Sequence, residues 1–212
     1  MEPIIAATRP SVQTRVAALI AEFESEIVRK SLHLLIALVP PLAAWNLRVA
    51  MLILGAGTLF YVYAEWLRLE GGRIYLISEL TVLASRPRDR GRFVLGPVTL
   101  GLGAMLALLL YPAPAATIAI YALAFGDGFA SLAGKLFGRV RIPFTGGKTI
   151  AGSLACFVAV LVSTQYLMGN TGLAFTIAGL AALLEALPSG DFDNLILPVG
   201  TGFAATKLLL LT

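Results

Sequence analysis

Seven apolar stretches, each near the roughly 17 to 25 residues that a bilayer asks of a helix, run along the chain at 31–47, 49–66, 93–111, 113–133, 150–168, 171–187 and 194–211. The expected fold class is therefore all-α. The chain reads as a polytopic integral membrane protein of about seven transmembrane helices, forming a single membrane-embedded domain over 1–212. Composition agrees, with 58% hydrophobic and only 13% charged residues, where a soluble domain carries roughly 25% charged. Pro and Gly interrupt several stretches, as in VPPLAAW around Pro40 and Pro41.

Ahead of the first stretch, Val12, Val16, Leu19, Ile20, Phe23 and Ile27 recur at helical spacing, with Arg15, Glu22, Glu24 and Glu26 between them. That pattern predicts an N-terminal amphipathic helix over 11–30 lying along the membrane surface. The same glutamates stand where a signal peptide would need its apolar region, so the N-terminus is expected to be retained. A second interfacial piece is expected at 73–84, RIYLISELTVLA, which is too short to span.

Of the sixteen Lys and Arg, four precede the first stretch, six lie in 67–92 and four in 134–149, whereas the opposite side has Arg48. This asymmetry places the N-terminus and all three basic segments in the cytoplasm, which for a prokaryote means the inner membrane. Most arginines of 67–92 are read as orienting charges that touch anionic lipid. A net charge of +4 calls for no nucleic-acid partner. The single Cys156 has no second cysteine to pair with and reads as a small core residue.

Against this apolar background, GDGFASLAGKLFGRVRIPFTGGKT (126–149) collects Asp127, Lys135, Arg139, Arg141 and Lys148. An acid inside a span costs roughly 2.5–3.5 kcal/mol, so Asp127 is expected to face a partner, a cavity or an ion. Gly126, Ala130, Gly134 and Gly138 fall four apart and predict close approach of a neighbouring helix. Gly147, Lys148 and Thr149 match the end of a P-loop, but the first glycine of that motif would fall at Ile142 and no strand precedes it. The physics survives the failed motif: Gly146, Gly147, Lys148 and Thr149, opening a helix, make a cradle for phosphate oxygens.

Glu26, Arg29, Lys30 and His33 share one helical face at the membrane entrance. Glu65 and Arg68 form a helix-spaced pair whose expected role is mutual neutralisation. LEALPSGDFDN brings Glu185, Asp191, Asp193 and Asn194 into a turn free of Lys and Arg, which suits a hard cation such as Mg²⁺ bridging carboxylates to substrate phosphates. Carboxylates for metal, bases for phosphate and a charged helical face on one side form a kit for phosphoryl or nucleotidyl transfer.

ESEIVRKSLH, AEWLR, GDGFASLAGKLFG, GGKTIAGSLA and EALPSGDFDNLILP, in this order, resemble the polyprenol kinase family, membrane enzymes that include dolichol kinase and phytol kinase. The resemblance implies a lipid kinase that uses CTP and Mg²⁺ to phosphorylate the hydroxyl of a membrane alcohol such as phytol, farnesol, geranylgeraniol or dolichol. The metal set is then expected to be Asp127, Glu185 and Asp193. Lys135, Arg139, Gly146, Gly147, Lys148, Thr149 and Asn194 are expected to hold the nucleotide. Arg29, Lys30 and His33 would form the substrate entrance, and Asp127, Lys148, His33 and Glu26 the catalytic group, with His33 or an acid as base. The expected partners are the lipid alcohol, CTP and the bilayer, with a homodimer left open.

The stretch at 126–149 also looks like part of the phosphatidate cytidylyltransferases. Their ending pairs acid and serine with Lys-Arg and a later Lys-Asp, whereas Glu185 here is followed by Ala186, Leu187 and Pro188. CDP-alcohol phosphatidyltransferases would need Ala and Arg where Ser131 and Leu132 stand. A cytidylyltransferase and a small transporter remain the alternative readings.

Overall fold

A computed structural model describes residues 12–85, 89 and 91–211, without the side chains at 12, 14–19, 21 and 22. The described residues are all-helical, with no strand. α1 (Val12–Leu34) runs through a 3₁₀ turn (Leu35–Leu38) into α2 (Val39–Trp45). Pro40 and Pro41 lie in the first turn of α2, where a missing N–H costs nothing, and the chain tightens into 3₁₀ geometry just before them. Asn46 then stops the helix in an extended conformation and caps α3 (Leu47–Leu69), its side chain accepting from the Val49 amide at 3.1 Å.

α4 (Tyr75–Ala84), α5 (Gly96–Leu110) and α6 (Ala115–Tyr121) follow. α6 widens into a π turn over Ala122–Asp127 before continuing as α7 (Gly128–Phe137). α8 (Ile150–Met168), α9 (Thr171–Glu185) and α10 (Asp193–Leu209) complete the chain. Thr149 caps α8 through the Gly152 amide, and Gly169, in the left-handed region at φ 65°, ends it.

Among the described residues, four helical stretches are long and apolar enough to cross a membrane: Phe23–Trp45, Leu47–Leu69, Ala115–Phe137 and Ile150–Met168. α5, α9 and α4 are apolar but shorter. The first long stretch begins at Phe23, eight residues ahead of the predicted 31–47, because α1 continues into it without a break. Glu26, Arg29 and Lys30 therefore join His33 within that stretch rather than preceding it. The predicted amphipathic face of 11–30 depends on residue 11 and on the side chains of Val12, Arg15, Val16, Leu19 and Glu22, which lie outside the described residues.

Ala115–Phe137 is the central helix and is mostly buried, whereas Leu47–Leu69 has few buried residues and its Leu52, Leu59 and Phe60 point outward. One apolar cluster on its flank joins Ile118 to Val160, Ile177 and Leu197; another joins Ile120 and Leu123 to Ile36, Ala104 and Ala107. Its small residues make a seam with α8, as their four-residue spacing predicts. A Cβ on Gly126 would lie 3.1 Å from both Cys156 Sγ and Val160 Cγ2, and one on Gly152 2.8 Å from the Ala130 carbonyl oxygen. Cys156 is a buried free thiol within that seam.

Candidate active site

The π turn adds a residue to the helix just where Asp127 leaves it, a distortion frequent at functional sites. Gly126 then faces α8 while Asp127 faces α1. Lys30 donates to Asp127 in a buried ion pair, and His33 Nε2 stands 3.3 Å from the same carboxylate oxygen. His33 Nε2 also lies 2.7 Å from the Leu123 carbonyl oxygen. A carbonyl can only accept, so Nε2 carries the proton.

One turn further along α7, Ser131 donates to Glu26, and Lys135 Nζ lies 3.0 Å from the other oxygen of that carboxylate. Arg29 donates to Glu26 from within α1. Glu26 is 2% exposed and takes three donors, the condition for burying a charge at tolerable cost. Glu26, Lys30 and His33 thus meet Lys135, Ser131, Asp127 and Leu123 in antiparallel order, tying the first long helix to the central one.

A second cluster gathers where α8 and α10 begin and α9 ends. Lys148 Nζ donates to Glu185 Oε1 at 2.8 Å and to Asp193 Oδ2 at 3.0 Å. Ser153 donates to Glu185 at 3.2 Å, and Ser189 donates to Asp193. Burial opposes the Lys148 charge, but the two carboxylates outweigh it and hold its pKa above the ordinary lysine value. Lys148 is carried on a hairpin-like turn between α7 and α8, closed by Ile142 N to Lys148 O at 2.9 Å and Ile150 N to Val140 O at 3.1 Å. Gly146 and Gly147 turn the tip at φ 69° and 101°, values that L side chains rarely adopt.

Both clusters open onto one cavity of about 1120 Å³. Asp127, Glu26, Arg29 and Lys30 line one wall and Lys148, Glu185 and Asp193 another, with the Gly146–Gly147 backbone and Thr149 between them. The structure thus brings together most of the predicted site, but not all. Asn194 does not line the cavity; its amide nitrogen donates to the Gly96 carbonyl at 3.2 Å and to Thr99 Oγ1 at 3.0 Å. His33 lies behind Lys30 and Asp127 rather than on the cavity surface, and Arg141 reaches it where Arg139 does not. Thr149 lines it, with its hydroxyl engaged as the α8 cap.

Ser131, Ser153 and Ser189 were not legible as site residues in the chain. Ser131, four residues after Asp127 and so on the same helical face, was the one with a positional signal. The three predicted metal carboxylates are divided between the two clusters, and among the described residues no three His, Cys, Asp or Glu side chains converge as a ready metal set. A second groove of about 660 Å³ lies on the far side of the α7–α8 seam, lined by Tyr121, Phe125, Phe129, Val158, Val162 and Tyr166 among others, and carries no charged group.

Comparison with known proteins places relatives beside this geometry. The chain is 33% identical to phytol kinase from Synechocystis sp. over 42% of each chain. It is 30% identical to the chloroplastic farnesol kinase of Arabidopsis thaliana over 81% of its own length and 62% of the relative's. A probable phytol kinase, chloroplastic, from Zea mays matches at 24% over 67% of this chain and 53% of its own. The chain thus spans less than two thirds of the length of these relatives. No family model and no solved structure matches it.

Proposed function

We infer from the phytol kinase and farnesol kinase relatives that this chain is polyprenol/phytol-kinase-like, and propose that it transfers the γ-phosphoryl group of CTP to the hydroxyl of an isoprenoid alcohol. One observation carries the chemistry: two charged clusters, one on the helix pair α1–α7 and one at the start of α8, face a single cavity large enough for a nucleotide. Phosphoryl transfer needs little covalent help from a protein and much positioning and charge neutralisation, which these clusters supply.

In this reading Lys148, Lys135 and Arg141 hold the phosphates, with the Gly146–Gly147 backbone and the positive N-terminal end of α8. Glu185 and Asp193, which share the Lys148 ammonium at 2.8 and 3.0 Å, are two carboxylates that would hold Mg²⁺ once Lys148 turns from them to the phosphates. When bound, the ion neutralises charge developing on the phosphates. Asp127 is held by Lys30 and belongs to the acceptor side. Glu26, with the Ser131 hydroxyl on it, and Asp127 are the carboxylates able to take the proton of the alcohol. Arg29 and Lys30 frame the entrance, and His33 acts from behind by fixing Asp127.

The topology supports a cytoplasmic site. If α5, α9 and α10 cross with their flanking residues, they join the four long stretches as seven spans, and the basic residues at and before the start of the first stretch, in 67–92 and in 134–149 fall on one side with the cavity. Residues 12–22 would then lie along the membrane surface. The chain acts as one domain, as a monomer or a homodimer, and if its source is a prokaryote the membrane is the inner one.

The purified protein in nanodiscs, given CTP, Mg²⁺ and a panel of phytol, farnesol, geranylgeraniol and dolichol, should form an alkyl monophosphate with at least one alcohol. CTP should serve better than ATP, GTP or UTP. No phosphorylated alcohol with any nucleotide would overturn the reading.

A further inference from the structure

AEWLR stands apart from the cavity, and so does Asn194, yet hydrogen bonds join them. Near the end of α3, Glu65 is 1% exposed and takes Arg68 in a two-point pair, Nε to Oε2 at 2.7 Å and Nη2 to Oε1 at 2.8 Å. This pair does more than neutralise itself. Glu65 Oε1 accepts from the Val94 amide at 2.8 Å, Arg68 Nη2 donates to the Arg92 carbonyl at 3.0 Å, and the Tyr61 hydroxyl donates to the Val94 carbonyl at 3.0 Å. The backbone of 92–94 is gripped at three points, two residues before α5 begins.

The first turn of α5 is in turn the anchor of α10. Asn194 spends its amide nitrogen on Gly96 and Thr99. The two helices approach so closely that any Cβ on Gly103 would collide with the Asn194 carbonyl. Asn194 follows Asp193 directly, and Asp193 shares Lys148 with Glu185. The relay therefore runs from Glu65 and Arg68 through 92–94 and the α5 N-terminus to Asn194, Asp193 and the phosphate-facing ammonium.

We propose that Glu65, Arg68 and Asn194 are positioning residues, which fix Asp193 and through it Lys148 from outside the cavity. The use of Lys148 for CTP rests on the function proposed above, whereas the relay itself does not. The test therefore has one arm without nucleotide. Full-length protein in nanodiscs is treated with an amine-reactive ester, and labelling of each lysine is followed by mass spectrometry. Asn194→Ala, Thr99→Val and Glu65→Gln should each speed labelling of Lys148 by about fivefold or more, with exposed Lys135 and Lys207 unchanged. General loosening of the fold would speed all three alike. In an Asp193→Asn background, Asn194→Ala should add nothing further.

The second arm measures equilibrium CTP binding and the KM of the alcohol. The same variants should weaken CTP binding by a similar factor and leave the alcohol KM unchanged. Unaltered Lys148 labelling in folded Asn194→Ala and Glu65→Gln proteins would overturn the relay. Absence of CTP binding by the wild-type protein, with labelling altered as expected, would overturn the proposed function and leave the relay standing.

Discussion

Asp127 and Lys148 face the same cavity but answer to different partners, Asp127 to Lys30 and His33, Lys148 to Glu185 and Asp193. Replacement should therefore separate them. Lys148→Met should raise the apparent KM for CTP about tenfold or more, and Lys148→Arg, keeping the charge, should recover part of it; an unchanged CTP KM would remove Lys148 from the phosphate clamp. Asp127→Asn should abolish transfer while CTP binding persists, read by activity and equilibrium binding on the same preparation. Because the Lys148 pKa is raised in the fold, its ion pairs are fully formed below the ordinary lysine range and are lost only as pH rises through the raised value. Thermal unfolding between pH 6 and 9 should thus carry no inflection that Lys148→Met removes. At this scale the chain was largely legible: an acid in an apolar span and a glycine-lysine-threonine turn before a helix are local signals. Asn194 and His33 were less so, because the direction of a side chain depends on which helix packs against it.

The seam between the central helix and α8 sets how the two clusters meet, and its glycines have unequal tolerance. A Cβ on Gly152 meets backbone, the Ala130 carbonyl, whereas one on Gly126 meets side-chain atoms of Cys156 and Val160 that can shift. Gly152→Ala should lower the thermal midpoint of the detergent-solubilised protein more than Gly126→Ala, with a cost of about 1–3 kcal/mol. Equal midpoints would deny the close approach. The four-residue spacing announced this seam in advance. The π turn had no such announcement, since ALAFGD has the composition of any apolar helix and the extra residue shows only in the hydrogen-bond ladder.

For the molecule as a whole, helical class and membrane character followed from apolar stretches alone, whereas the number of crossings did not. α5 and α9 have 15 residues each, or about 22 Å of helix at 1.5 Å per residue, short of a hydrocarbon core of about 30 Å. Hydropathy over 93–111 and 171–187 joins helix to flanking loop and cannot mark where the helix stops. The first long stretch starts ahead of 31–47 for a related reason, since Glu26, Arg29 and Lys30 depress hydropathy although Glu26 and Lys30 are paired with Lys135 and Asp127 and Arg29 with Glu26. In a Cys156→Ala background, a cysteine introduced at Thr145 should react with a membrane-impermeant maleimide only from the cytoplasmic side; reaction from the opposite side would invert the topology. A kinase and a cytidylyltransferase break different bonds of the nucleotide. With CTP labelled at the α or the γ phosphorus, wild-type protein and the preferred alcohol should place only the γ label in the lipid and leave the α label in CDP. An α label in the lipid, with release of pyrophosphate, would contradict the kinase and make the protein a cytidylyltransferase.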